Sequence, residues 1–391
     1  MLSGETIVCF APDPWAGLWR NRHQIMTRLA RRNTVVYVEP RVYLGQAARR
    51  LRSGQTGLAE LSAPRLRRER DNLYIYRDPD YAPYAGRLSG GKITAAIRHR
   101  ALRRALASLA AAAPILWLLR PWDADKIGCY REKLVVYHVT DEYSDYPTVT
   151  DKVGFRASEE ALLRRAGLVI ATSPALLAAR SRVNPQTHLV RNAVDFDGFQ
   201  VALRERPELP AFAEIAHPRI GYAGALNEKI DFALLEGLAR LRPDWQLILV
   251  GSLDLVRDPR AAEGLKALPN VRWLGRVPVT DVPSAIGGMD VCLLPYKLNP
   301  WTANIDSLKQ YEYLACGKPV VATSIPAACD FPGLVRIAES CPRAFAQAIE
   351  LELGCDSGGL GLARRNAVRG HTWDARVAQI EALLAERMAH D

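Results

Sequence analysis

Apolar residues fall in short unbroken runs. In the first half of the chain they are TIVCFA (6–11), TVVYVEP (34–40), LYIYR (73–77), ILWLLR (115–120), LVVYHV (134–139), LVIATS (168–173) and HLVRNAV (188–194). Strands covered on both faces read this way, because neither side chain row meets water. Between the runs lie stretches with helical spacing, such as WRNRHQIMTRLARR (19–32) and ASEEALLRRAG (157–167). This β-α-β alternation predicts an α/β fold with a parallel, doubly wound sheet. The pattern pauses over QVALRERPELPAFAEIAHP (200–218), which carries three prolines. It resumes with RIGYAGAL (219–226), WQLILVGS (245–252), VRWLGRV (271–277), VCLLPY (291–296), PVVATS (319–324) and LVRIAE (334–339), and ends in a helical stretch, TWDARVAQIEALLAERM (372–388). The reading is therefore two Rossmann-like domains, 1–200 and 218–371, a linker at 201–217 and a final helix. Two such domains flank a cleft, and ligands bind outside the carboxyl ends of their strands.

The length of 391 residues suits two cores. The longest apolar run, Ala105 to Leu119, contains Pro114 and falls short of the roughly 20 residues that span a bilayer. The N-terminal residues lack the basic-then-apolar pattern of a signal peptide, and the seven cysteines are scattered singly, so a cytoplasmic protein with reduced thiols is expected. Charge is uneven: residues 1–200 hold 31 basic and 19 acidic side chains, residues 201–391 hold 21 and 23. The excess sits between Arg41 and Arg104, with 15 basic against 5 acidic residues. A polyanionic surface is the natural partner. The stretch KITAAIRHRALRRALASLAA (92–111) reads as a basic amphipathic helix, suited either to an anionic membrane or to a core with a solvated basic face. No nucleic-acid module accompanies it.

Candidate chemistry gathers just after strands. In LKQYEYLACGKPVVATS (308–324), a helix from about Thr302 to Cys316 stops at Gly317 and Pro319. Lys309 and Glu312 share one face of it. A carboxylate there can accept two hydrogen bonds from a ribose diol, and the ammonium, nearer the helix start, can meet a diphosphate. The same spacing also makes an ordinary surface ion pair. In RIGYAGALNEKID (219–231), Gly221 and Gly224 permit close backbone approach to a phosphate or sugar, but the dinucleotide pattern GxGxxG is absent. YHVTDEYSDYP (137–147) places Asp141 where it could take a proton from an acceptor hydroxyl or cap a helix, with Glu142 beside it. His138 is a strand residue near the same edge. APDPWAGLWRNRHQ (11–24) offers Trp15, Trp19, Arg20 and Arg22, which either meet a sugar and its anionic groups or pack the loop down. The Asp-x-Asp pairs at 78/80, 123/125 and 195/197 fit turn chemistry, and no metal is assigned.

Taken in order, WRNRHQIMTRLARRNTVVYVEP, YHVTDEYSDY, EEALLRRAGLVIATSPALL, VRNAVDFDGF, IGYAGALNEKIDF, NVRWLGRVPVTDVPSAIGGMDVCLLPY and LKQYEYLACGKPVVAT resemble the GT-B glycosyltransferases over essentially the whole chain. The nearest resemblance is to bacterial enzymes of envelope polysaccharides, including teichuronic-acid transferases. The resemblance implies a nucleotide-diphosphate-sugar donor, no cofactor and no metal. It implies that Glu312 binds the ribose and Lys309 the diphosphate, that Gly221, Gly224 and Lys229 line the donor, and that Arg276 and Val277 lie near the base. Trp15, Trp19, Arg20, Arg22, His138 and Glu142 would then face a saccharide acceptor, lipid-linked at the cytoplasmic membrane face, with Asp141 as base if the reaction inverts. The final helix (372–391) would return to the first domain. Three departures stand out: Asn304 replaces the usual acidic residue eight before Glu312, Ala225 the usual Arg, and NAVD (192–195) the usual Asn-Gly-Val-Asp. A sugar-nucleotide epimerase on the same fold and a non-catalytic polyanion-binding protein are the rival readings.

Overall fold

The structure, a computed structural model, describes residues 2–40, 65–78, 90–253, 256 and 258–389. Of the basic region between Arg41 and Arg104, residues 41–64 and 79–89, Asp80 among them, lie outside the described residues. The chain forms two compact units, the first of Met1–Thr140, Pro147–Val190 and Val377–Asp391, the second of Asp141–Tyr146 and Arg191–Arg376.

The first unit holds eight described strands: β1 (Thr6–Phe10), β2 (Thr34–Val38), β3 (Leu66–Arg70), β4 (Leu73–Tyr76), β5 (Ile115–Leu118), β6 (Leu134–Val139), β7 (Leu168–Ala171) and β8 (Thr187–Leu189). Their order is β3-β4-β2-β1-β5-β6-β7-β8. All neighbours are parallel except β3, which runs antiparallel to β4 on the edge. The pattern of buried runs does not reveal β3, because LRRER is a charged edge strand with little buried surface. Val8, Leu116, Val136 and Val169 are among the fully buried residues of the central strands, so the uninterrupted apolar runs do mark strands with no wet face.

The second unit holds β9 (Arg219–Ala223), β10 (Gln246–Val250), β11 (Val271–Gly275), β12 (Val291–Leu294), β13 (Val320–Ala322) and β14 (Val335–Ile337), all parallel. Their order is β11-β10-β9-β12-β13-β14. Chain direction across the sheet reverses between β9 and β12. That switch point is where a doubly wound sheet opens a crevice at its carboxyl edge.

Three expectations need correction, and one open choice is narrowed. Residues 201–217 are not a free linker. Phe196–Glu205 is a helix, and Leu209, Phe212 and Ile215 are buried in the core of the second unit. The prolines that break the pattern end that helix and start a short 3-10 turn, Pro210–Phe212. The boundary falls at Val190, and Asp141–Tyr146 groups with the second unit. The helix read from Thr302 begins only at Leu308, since Thr302–Asn304 is a 3-10 turn and Ile305 is extended. The basic stretch forms the Gly90–Ser108 helix, and its Leu102 and Leu106 belong to the core of the first unit. Those side chains are thus taken up by protein. Trp373–Ala389 is the last helix, and from Val377 onward it belongs to the first unit. There Gln379 donates to the Leu189 carbonyl (2.9 Å) and Arg387 to the Gly167 carbonyl (3.0 Å).

Candidate functional site

At the switch point of the second unit, the loops after β9 and β12 meet the Leu308–Ala315 helix. Tyr313 anchors that helix. It is fully buried, and its hydroxyl accepts the Ala223 N–H at the end of β9 (2.9 Å). Burial pushes its hydroxyl well above the ordinary range, against the opposing pull of the Ala223 N–H, so it stays a neutral hydrogen-bonding group. Gly317, at φ +74°, ends the helix in the left-handed conformation that glycine adopts freely.

On the exposed side of the first turns, Lys309 Nζ lies 2.8 Å from Glu312 Oε2. Both side chains are mostly but not fully buried, at 21% and 18% exposure. This is not an ordinary surface ion pair. The reason lies 85 residues away. Gly224, at φ +158°, follows β9, and a Cβ there would stand 2.3 Å from Lys309 Cε. The missing side chain of Gly224 is the space in which Lys309 lies. Gly251, after β10, makes the next layer: its Cβ would stand 1.9 Å from the Gly224 carbonyl oxygen. Backbone bonds tie the three strand ends together, Gly224 N–H to the Val250 carbonyl and Gly251 N–H to the Gly275 carbonyl, both 2.8 Å. Arg276 and Val277 follow directly on edge strand β11, Arg276 exposed and Val277 half-buried against the core. Gly221 sits elsewhere. It is buried mid-strand in β9, paired with Ile248 and Cys292, and its Cβ would meet the Met289 side chain. It is a packing glycine and not part of the turn.

Lys229 stands in a second cluster of the same unit. Its Nζ lies 5.4 Å from the Tyr296 ring and 5.6 Å from the Trp301 ring, a cation over two aromatic faces. Trp301 donates its indole N–H to Asp141 Oδ1 (3.2 Å), and Tyr146 donates its hydroxyl to Asp141 Oδ2 (2.7 Å). The Tyr146 and Trp301 rings are 4.5 Å apart. Asp141 is therefore held at both oxygens, each keeping a further lone pair. Glu142 accepts from the Ser144 hydroxyl (2.7 Å). Trp301 carries no motif signal, as a tryptophan in a polar loop.

A third buried carboxyl, Asp306, has no counterpart in the sequence reading. It accepts from the Asn192 N–H (2.5 Å) and the Tyr311 hydroxyl (3.0 Å), and burial pushes it up to about 6. Asn304, in contrast, is only half-buried, with its amide on the Pro300 carbonyl (2.7 Å).

In the first unit, the loop after β1 is packed down. Trp15 is buried, edge-on to Trp19 and Tyr37, and its N–H bonds Glu39. Arg22 is buried with Tyr37 and Asp13, and Arg20 lies 3.4 Å from Asp13. Trp19 stacks on His23 at 4.8 Å. His138 is buried against Trp117 on β5. Burial, with Arg22 nearby, lowers His138 to about 3, and the same causes lower His23 to about 4. Trp15, Arg22 and His138 are thus corrected from surface contacts to interior groups; Trp19 and Arg20 keep partial exposure. Asp123 is buried between Arg120 and Lys126, which accounts for one Asp-x-Asp pair. Among the described residues no group of three or more His, Cys, Asp or Glu is placed to hold a metal ion, and all seven cysteines are free.

The fold and the carboxyl-edge layout define the GT-B class. The chain superposes on sucrose-phosphate synthase of Thermosynechococcus elongatus with a TM-score of 0.73 at 18% identity, over 99% of this chain and 100% of that one. It matches Anabaena Alr3699/HepE in complex with UDP and glucose at 0.66 and 16% identity, over 98% and 99%. It matches an α,α-trehalose-phosphate synthase (UDP-forming) of Burkholderia vietnamiensis at 0.68 and 13% identity, over 100% of both chains. Within this class, residues 217–353 match the family described as Glycosyl transferases group 1. The chain is also 31% identical over 209 residues to the "Putative teichuronic acid biosynthesis glycosyltransferase TuaH" of Bacillus subtilis (strain 168). That match spans about half of each, 52% of this chain and 51% of the relative.

Proposed function

We propose that the protein is a glycosyltransferase that moves a sugar from a nucleotide-diphosphate donor to a hydroxyl of a saccharide. The observation that carries this is the Lys309–Glu312 pair seated in the space left by Gly224 at the switch point. In this reading the donor opens the pair. The Glu312 carboxylate turns to the ribose diol, and Lys309 turns to the diphosphate. Leaving-group charge then grows where Lys309, the first N–H groups of its helix and the loop N–H groups near Gly224 already stand. Donors fixed in place before the bond breaks lower the barrier without reorganisation cost. Asp141, oriented by Trp301 and Tyr146, serves as base if the reaction inverts. The acceptor we propose is a lipid-linked saccharide of cell-surface polysaccharide, met at the cytoplasmic membrane face. The resemblance to the teichuronic acid protein supports that choice. Among the described residues no helix is long and apolar enough to cross a membrane.

The HepE structure holds UDP, and the trehalose-phosphate synthase is UDP-forming, which makes UDP the first nucleotide to test. Thermal melts of the wild type and Glu312→Ala with UDP, GDP, ADP and dTDP provide the test. A nucleotide at about 100 times its Kd stabilises by about 2.7 kcal/mol, a shift of a few degrees. The expected result is a shift for one nucleotide that disappears in Glu312→Ala. A folded wild type that no nucleotide shifts would refute the donor site.

A further inference from the structure

Arg65, Arg100 and Arg104 line a pocket of about 210 Å³ in the first unit, with Tyr76, Ile97 and Ala101 among its other walls. The volume is several times the roughly 30 Å³ that a water molecule occupies in the liquid. Arg100 and Arg104 are four apart on the Gly90–Ser108 helix, so their charges share one face. Like charges at that spacing disfavour the helix. Other arginines of this region have carboxylate partners: Arg67 with Glu69 (2.6 Å), Arg68 with Asp71 (2.5 Å) and Arg98 with Asp78 (3.6 Å). Among the described residues Arg100 and Arg104 have none, and no acidic side chain lines the pocket. The cationic rim surrounds an apolar floor of ring, isoleucine and alanine.

We infer that this pocket binds a phosphoryl group carried on an apolar body, as an anionic lipid headgroup presents it. Guanidinium forks match phosphate oxygens, and the floor accepts the carbon atoms next to them. Because Leu102 and Leu106 are used in the core, the helix meets a membrane chiefly through these heads, with Ile93 as the one large apolar side chain it exposes among the described residues. The inference gives a position to the membrane contact proposed above and is independent of the donor site.

The test is co-sedimentation of the full chain with phosphatidylcholine vesicles, with and without phosphatidylglycerol. Three proteins are compared: wild type, Arg100→Gln/Arg104→Gln, and the control Arg156→Gln/Arg182→Gln. The control removes the same charge from exposed positions elsewhere on the first unit. The expected result is wild-type binding to phosphatidylglycerol vesicles alone, retained by the control and weakened about tenfold or more in the pocket variant. Unchanged melting temperature shows that the variant is folded. Equal weakening in both variants would reduce the site to general charge and overturn the inference. So would equal binding by wild type and pocket variant, or no vesicle binding at all. Titration with inorganic phosphate distinguishes the source: a wild-type-specific melt shift without vesicle binding would make the ligand a soluble phosphate and remove the lipid. Single-stranded DNA binding stronger than vesicle binding, and lost in the pocket variant, would replace the lipid by a nucleic acid. The nucleotide melts read a different unit, so failure of one proposal leaves the other measurable.

Discussion

Gly224 and Lys309 are one feature written in two places. A methyl group at 224 collides with the Lys309 side chain and also forces an L-residue into φ +158°. Gly224→Ala is therefore expected to weaken nucleotide binding about tenfold or more, the loss of one charge-assisted hydrogen bond of about 1.5–3 kcal/mol. Shortening the lysine as well, in Gly224→Ala/Lys309→Ala, should add little to that loss. Calorimetric titration of both variants with the nucleotide that shifts the wild-type melt checks it; additive losses would uncouple the two positions. The sequence makes Lys309 and Glu312 visible because both are charged residues on a short helix before a buried strand. The sequence also flags Gly224, but for backbone approach to a ligand. What it hides is the side chain that fills the space, since no local pattern links positions 224 and 309. Trp301 and Asp306 are hidden for the same reason: their partners, Asp141 and Asn192, are more than 100 positions away.

Elements are legible where one physical rule governs them. Unbroken apolar runs give the buried parallel strands, and their order along the chain gives a doubly wound fold. The rule fails for β3, whose charged sequence pairs with β4 alone among the described strands. It fails again at 201–217, where prolines shape buried turns. Helix-to-helix fixation is also set by a buried ion pair that the sequence does not announce. Glu159 on the Lys152–Arg165 helix accepts from Arg180 on the Pro174–Arg180 helix (3.0 Å to each oxygen) and from the Tyr137 hydroxyl (2.9 Å). Both charged side chains are under a tenth exposed. Arg180→Ala strands the carboxylate, and equilibrium denaturation of the first unit should show a loss of about 3–5 kcal/mol. Replacing the pair together, as Arg180→Met/Glu159→Gln, should cost less than the single change.

For the molecule as a whole, buried titratable groups set opposing slopes of stability against pH. His23 and His138 have folded values near 4 and 3, below the 6.5 of an unfolded histidine. Below about pH 6.5 the unfolded chain binds the protons, so stability falls as pH falls through 6.5 towards 3. Asp306 is raised from 3.8 to about 6, so the folded chain holds its proton more tightly. Its contribution is fully present below 3.8 and is lost as pH rises through 6, on the order of 3 kcal/mol in all. Urea denaturation between pH 4 and 7 should give a steeper acid loss for Asp306→Asn than for the wild type, and a flatter one for His138→Phe. Parallel curves would show that neither group titrates in that window.

The first unit is closed by residues Val377–Asp391, while the second is complete at Arg376. During synthesis this reverses the order in which the chain appears. A chain growing from its N-terminus at about 5–20 residues per second can bury the second unit's core while the first still lacks Ile380 and Leu384, both fully buried in the finished protein. The unit that leaves the ribosome first must wait for residues from Val377 onward, and until they arrive the side chains that cover Ile380 and Leu384 are a surface for a chaperone to cover.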